Sequence, residues 1–209
     1  MTVAVHEIFF SLQGESTYAG LPCVFVRLAG CPLRCAWCDT EAVRTAPGRA
    51  MTAQAVLEAV LAFGCPLVEV TGGEPLAQEP TSGLLHVLVD AGLTVLLETS
   101  GAFGLSAVPA DVHVIMDVKP PSSGEHGRLV RGNFERLGPG DEVKFVVADR
   151  ADFDYALALL AELPGRRFEV LFSPVLSRLG PAELAQWLLA ARVMDARLQI
   201  QLHKIGQFA

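Results

Sequence analysis

An α/β fold built on parallel strands is what this sequence predicts, and three observations carry the prediction. Short apolar runs rich in Val, Leu and Phe recur along the chain, helix-like stretches separate several of them, and 51% of the residues are hydrophobic, enough to fill a sizeable core. The length of 209 residues suits a single domain spanning 1–209, and no linker, fixed-period repeat or low-complexity tract divides it.

The strand candidates run, in order, over 21–28, 67–71, 93–98, 112–118, 142–147 and 168–172. Near-continuous apolar runs of this kind belong to strands covered on both faces of a parallel sheet. Helices are expected at 52–63, where Thr52 can serve as N-cap, at 82–91, at 151–163, and at 181–196, where Pro181 falls in the first turn. Helices between strands are the crossovers that parallel pairing requires. Periodicity leaves open whether the sheet is doubly wound or curled into a barrel. Residues 120–140, rich in Gly, Pro, Ser and charge, read as one long loop, a lid or mobile flap.

A net charge of -7 and a pI near 5.2 argue against a surface that binds nucleic acid or an anionic membrane by counterion release. A small molecule is the expected ligand. The N-terminal Met-Thr-Val-Ala-Val-His-Glu lacks a basic n-region, and no window reaches the roughly 20 apolar residues that span a bilayer, so a cytoplasmic location is expected.

Three of the five cysteines fall within eight positions, in Gly30-Cys31-Pro-Leu-Arg-Cys35-Ala-Trp-Cys38-Asp39-Thr40, directly after the first strand candidate. Such crowding reads as metal binding rather than a disulfide framework. Three thiolates can grip three corners of a cubane iron–sulfur cluster and leave one iron open, since no fourth Cys lies nearby. Zinc would want a fourth ligand at finger-like spacing, which neither His6 nor His203 has. Cys23 and Cys65 sit in apolar surroundings and read as small buried hydrophobes. Farther on, Thr71-Gly72-Gly73-Glu74-Pro75 closes the second strand candidate; alone it is only a turn.

The Cys-x3-Cys-x2-Cys spacing, with Trp37 before its last cysteine, joined to Gly-Gly-Glu-Pro, resembles the radical S-adenosylmethionine (SAM) superfamily. That resemblance implies a [4Fe–4S] cluster on Cys31, Cys35 and Cys38, SAM chelated by the open iron, and a 5′-deoxyadenosyl radical that takes a hydrogen from substrate. The cofactor then carries the difficult chemistry, and no side chain is expected to be catalytic. In the superfamily the glycine backbone and the Glu of the second motif engage SAM's amino group, because bare glycine permits close approach.

Within the superfamily, Glu7-Ile-Phe-Phe-Ser-Leu-Gln-Gly-Glu-Ser16, Phe25-Val-Arg-Leu28, Cys38-Asp-Thr40, Glu98-Thr-Ser-Gly101, Asp117-Val-Lys119 with Ser122-Ser-Gly124, and Gln201-Leu-His-Lys204 resemble the 7-carboxy-7-deazaguanine synthases from end to end. The resemblance implies a modified, shortened radical SAM partial (βα)6 barrel with parallel strands, active as a homodimer. It implies ring contraction of 6-carboxy-5,6,7,8-tetrahydropterin to 7-carboxy-7-deazaguanine with loss of ammonia, toward queuosine and related compounds, with SAM and Mg²⁺ and an electron donor such as flavodoxin.

Carried over residue by residue, the substrate contacts are Leu12, Gln13, Gly14, Glu15, Arg27, Thr71, Glu98, His203 and the terminal carboxylate of Ala209. The SAM contacts are Trp37, Cys38, Asp39, Gly73, Glu74, Ser100 and Lys119, and Thr40 is the Mg²⁺ ligand. Strand geometry offers a separate check, since active sites of βα barrels gather at the C-terminal ends of strands, and Arg27, Thr71, Glu98 and Lys119 all fall there. Arg27 shares a strand face with Cys23 and Phe25, so a buried guanidinium there needs an anion, and its fork suits a substrate carboxylate. For Lys119, pairing with Asp117 is an equally ordinary role. Two rivals remain from the sequence: a glycyl-radical-enzyme activase acting on a partner protein, which shares the cysteine spacing, and a non-catalytic iron–sulfur or zinc protein.

Overall fold

The computed structural model describes residues 1–208. In chain order the elements are β1 (Thr2–Leu12), β2 (Pro22–Leu28), α1 (Glu41–Thr45), β3 (Arg49–Thr52), α2 (Ala53–Leu61), β4 (Leu67–Gly72), α3 (Thr81–Asp90), β5 (Thr94–Thr99), β6 (His113–Val118), α4 (Asn133–Arg136), β7 (Glu142–Val147), α5 (Arg150–Ala161), β8 (Glu169–Pro174), α6 (Pro181–Ala191), β9 (Ala196–Leu198) and α7 (Leu202–Gly206). One sheet holds all nine strands in the order β3-β1-β2-β4-β5-β6-β7-β8-β9. From β2 through β9 neighbours run parallel, as the apolar runs predict. The two edge strands do not pair with one another, so the barrel is partial.

The six expected strands form β2, β4, β5, β6, β7 and β8. Every residue of β7 is buried, because helices cover one face and the enclosed side chains the other. Helix starts follow local chemistry: the Thr52 hydroxyl accepts from Ala55 N–H at the head of α2, and Asp149 accepts from Asp152 N–H at the head of α5. The last long helix stops at Ala191 rather than 196, where Arg192 takes a left-handed conformation and ends the helical hydrogen bonding.

Besides the short elements α1, β3, β9 and α7, which the sequence reading did not mark, three features depart from it. An eleven-residue strand, β1, precedes the expected first strand and pairs antiparallel with β2 on one side and β3 on the other. It carries His6, Glu7 and Ser11 and is only partly buried, so it lacks the apolar run that marks the others. Between β5 and β6 the chain crosses without a helix. There the Asn133 side chain does the bracing, donating to the carbonyls of Gly101 and Phe103 at 3.1 and 2.8 Å and accepting from Leu105 N–H at 3.0 Å.

Residues 120–140 are not an open flap. They hold two short 3-10 turns, Pro121–Ser123 and His126–Arg128, followed by α4, and bury Ser123, Asn133 and Phe134. The apolar core is continuous along the sheet and includes the stacked rings of Phe145 and Phe172. Cys23 and Cys65 are free and buried, as expected. Among the described residues no helix is long and apolar enough to cross a membrane.

Candidate functional site

A cavity of about 450 Å³ opens at the C-terminal ends of the parallel strands. Cys31, Cys35 and Cys38 line one end of it, and Gln13, Gly14 and Glu15 line the other. Arg27, Thr71, Glu98 and Lys119 also face it from the ends of β2, β4, β5 and β6.

The cysteine loop leaves β2 through Gly30, whose positive φ of 85° favours glycine. It is held by backbone: Gly30 N–H donates to Val43 O at 2.9 Å, Cys31 N–H to Arg44 O at 3.3 Å, and Ala36 N–H to Ser123 O at 3.0 Å. The second glycine turn presses against the first, for a Cβ on Gly73 would fall 1.9 Å from Gly30 O, and Glu74 N–H donates to Gly30 O at 2.9 Å. The two sequence motifs are therefore one structural unit.

All three thiols are free. Burial pushes the Cys35 thiol up to about 11 and raises Cys31, so burial favours the neutral thiol, and a metal bound here would displace its proton. Among the described residues no three His, Cys, Asp or Glu side chains converge on a single ion. A cubane asks for no such convergence, since each thiolate takes its own iron. The donor set thus fits the cluster that the superfamily carries.

Trp37, Asp39, Gly73 and Ser100 line the cavity beside this loop, as does Thr40. The Thr40 hydroxyl lies 3.8 Å from Cys38 Sγ, and Asp39 Oδ2 pairs with Lys204 Nζ at 3.0 Å. Glu74 is different. It is wholly buried and lies outside the cavity wall; its carboxylate accepts from Leu76 N–H at 3.0 Å, Thr99 Oγ1 at 2.7 Å, Ser100 N–H at 2.8 Å and the Ser100 hydroxyl. A buried carboxylate needs donors of this kind, so Glu74 braces Ser100 instead of facing a ligand directly. Lys119 pairs with Asp117 at 2.9 Å, the ordinary alternative that the sequence offered.

Across the cavity α7 docks on the loop that follows β1, while its Lys204 reaches back to Asp39 beside Cys38. Leu202 N–H donates to Gly14 O at 2.9 Å, and a Cβ on Gly14 would meet His203 Nδ1 at 2.3 Å. Gln13 is buried and its amide is committed, Nε2 donating to Glu69 and Oε1 accepting from Glu15 N–H at 3.0 Å. Arg27 Nε pairs with Glu7 at 2.8 Å, and its guanidinium lies over the Phe9 ring at 5.3 Å; the neighbouring strand supplies an anion for Nε. Leu12, Thr71, Glu98 and His203 are on the cavity wall. Ala209 lies outside the described residues.

Four charged residues escaped the sequence reading as parts of this wall: Lys144, Glu69, Asp117 and Lys204. Burial works against the Lys144 ammonium, but Glu15, Glu98 and Asp117 around it hold its pKa well above the usual lysine value. Burial, and then the nearby Glu98, push Glu69 well above the ordinary carboxylate range. The available signal was a charged residue in the middle of an apolar strand, Val143-Lys144-Phe145 and Val68-Glu69-Val70.

A family model described as the Radical SAM superfamily matches residues 26–112. The chain is 46% identical over 209 residues to 7-carboxy-7-deazaguanine synthase of Chlorobaculum tepidum, covering 96% of this chain and 92% of that protein. It is 44% identical to the synthase of Koribacter versatilis, covering 96% and 95%. Among solved structures it is similar to QueE from Escherichia coli, with a TM-score of 0.79, 25% identity, and coverage of 97% and 95%.

Proposed function

The chain belongs to the 7-carboxy-7-deazaguanine synthase family of radical SAM enzymes, and from that premise we propose that it contracts the ring of 6-carboxy-5,6,7,8-tetrahydropterin to 7-carboxy-7-deazaguanine with loss of ammonia. The observation that carries this reading is the single cavity whose one end is the three-cysteine loop and whose other end is lined by Glu15, Glu98, Thr71 and Arg27. A cofactor that generates a radical and a substrate rich in N–H donors with one carboxylate can share that volume.

Cys31, Cys35 and Cys38 would hold a [4Fe–4S] cluster, which with SAM bound would supply the 5′-deoxyadenosyl radical. The chain's own task is to hold the substrate hydrogen close to it and to exclude water. The Arg27 guanidinium, with Nε already on Glu7, offers its terminal nitrogens to the substrate carboxylate. Glu15 and Glu98 accept from the pyrimidine N–H edge, and Thr71 and His203 complete the polar wall. The committed amide of Gln13 supports this edge through Glu69 and the Glu15 backbone, and Leu12 and Gly14 contribute backbone and surface.

On the cofactor side, Trp37, Asp39, the Gly73 backbone, Ser100 and Lys119 face SAM, with Glu74 behind Ser100. Thr40 is our candidate Mg²⁺ ligand: it is a hard oxygen on the cavity wall beside the cysteine loop, and Mg²⁺ keeps several waters and so accepts sparse protein ligation. We further propose a homodimer, for which the half-exposed, stacked rings of Phe10 and Phe63 offer an apolar face, and reduction by a small carrier such as flavodoxin. The activase alternative is not favoured by relatives whose names all specify the synthase.

Anaerobic incubation of reconstituted, reduced protein with SAM, Mg²⁺ and 6-carboxytetrahydropterin tests the reading by mass spectrometry. Formation of 7-carboxy-7-deazaguanine is expected. SAM cleavage that leaves the pterin intact would overturn the substrate assignment.

A further inference from the structure

Lys144 is 1% exposed, and a buried charge of this kind is costly unless matched. It is matched three times. Its ammonium has three N–H donors, and three carboxylates from three separate elements face it: Glu15 Oε2 at 2.6 Å, Glu98 Oε1, and Asp117 Oδ2 at 3.6 Å. The remaining oxygen of Glu15 accepts from Gln201 Nε2 at 2.7 Å, and the remaining oxygen of Glu98 from Thr71 Oγ1 at 3.2 Å. Both carboxylate planes are therefore fixed, and the separation between them is set by the one ammonium they share.

Without that ammonium two carboxylates would face each other across one cavity, and like charges at short range repel. Each would swing toward its other partner, Glu15 toward Gln201 and Glu98 toward Thr71. A rigid pair of acceptors at fixed spacing is what a flat heterocyclic edge with several N–H donors requires, because little ordering is left to occur on binding. Among the described residues no hydrogen bond joins the cysteine loop to Lys144; the loop is held by backbone contacts to α1 and to Ser123 and by Arg34 N–H donating to Glu125 at 2.7 Å, and Lys144 reaches the cofactor side only through Asp117, which holds Lys119 more closely, at 2.9 Å.

We propose that Lys144 is a positioning residue for substrate recognition, acting through Glu15 and Glu98 to set the spacing at which they receive the pyrimidine edge. This rests on the functional reading above and deepens it: the residue governs which substrate is recognised and leaves the generation of the radical to the cysteine end.

The test uses the reconstituted holoenzyme with Lys144→Met, Glu98→Gln and the double variant. In Lys144→Met the KM for the pterin is expected to rise by at least about 100-fold, the loss typical of leaving one side of a buried ion pair unmatched. SAM affinity is expected to stay within about threefold, and at pterin concentrations below the raised KM 5′-deoxyadenosine is expected to exceed deazaguanine. The double variant is expected to be worse than Glu98→Gln alone, because Glu15 also loses its ammonium, but by clearly less than the two single effects combined, because part of the Lys144 effect runs through Glu98. An unchanged pterin KM in Lys144→Met, or effects that add in full, would overturn the proposal. So would loss of cluster, SAM and pterin binding together, or failure to fold, since Lys144 would then be a structural strut. A wild-type protein that ignores the pterin would sink the functional reading and this extension with it; wild-type turnover beside an unaffected Lys144→Met sinks the extension alone.

Discussion

The two ends of the cavity are built in opposite ways. At the cysteine end the chemistry-bearing atoms come from one loop of eight residues, Cys31 to Cys38, held almost wholly by backbone hydrogen bonds. At the other end Glu15, Glu98, Lys144 and Gln201 come from four distant parts of the chain and hold one another side chain to side chain. The difference follows from what each end must do. A cluster carries its own reactivity and needs only ligands at the right spacing, whereas recognising a heterocycle needs donors and acceptors fixed in three dimensions.

The widest separation between the two ends is expected from Cys35→Ala. Losing one of three thiolates should abolish the cluster, so iron content, visible absorbance and 5′-deoxyadenosine formation all fall to background. The melting temperature should change little, because Cys35 is only partly buried and belongs to no core cluster. Retained SAM cleavage in this variant would break the comparison.

Glu98→Gln is expected to do the reverse. It leaves the Lys144 ammonium short of one charge, so kcat/KM for the pterin should drop roughly 100-fold while cluster content and SAM affinity persist. Equal loss of SAM binding would mean that the two ends are not separable.

A smaller effect is expected from Gly14→Ala. The added methyl would meet His203 Nδ1 at 2.3 Å, yet the obstacle is a side chain that can move at a modest cost of about 1–3 kcal/mol. The pterin KM should rise about tenfold, and SAM binding should not respond.

The smallest concerns Glu69 and pH. Its folded carboxyl binds a proton more tightly than the unfolded one, whose ordinary value is 4.5. The folded state therefore loses stability as pH rises from there toward the raised folded value. Glu69→Gln keeps an acceptor for Gln13 and escapes that loss. Its melting advantage over the wild type should widen by about 2–4 °C between roughly pH 4.5 and pH 8; a constant gap in thermal melts would contradict the assignment.

The same contrast explains what could be read from the sequence. Six of the seven parallel strands were legible to within a few residues, because burial on both faces writes a continuous apolar run; β9, three residues long and largely exposed, was not. The cysteine end was legible because its ligands are contiguous. β1 was not, since a partly exposed strand with His6 and Glu7 writes no such run, and neither was the helix-free crossover from β5 to β6, which a single Asn133 side chain braces from elsewhere in the chain. Lys144 escaped notice for the reason that gives it its place: the partners that make a buried lysine tolerable lie 129 and 46 residues away in sequence. Glu74 was assigned toward a ligand by its motif, but the donors of Thr99 and Ser100, 25 and 26 residues on, turn it inward.

The most direct test of one cavity serving both ends is isotope transfer. Wild-type holoenzyme would be given SAM and 6-carboxytetrahydropterin carrying deuterium at its saturated ring carbons, and the 5′-deoxyadenosine formed would be weighed by mass spectrometry. Deuterium arriving in 5′-deoxyadenosine in step with deazaguanine formation is the result this account predicts. Unlabelled 5′-deoxyadenosine alongside intact deuterated pterin would contradict it.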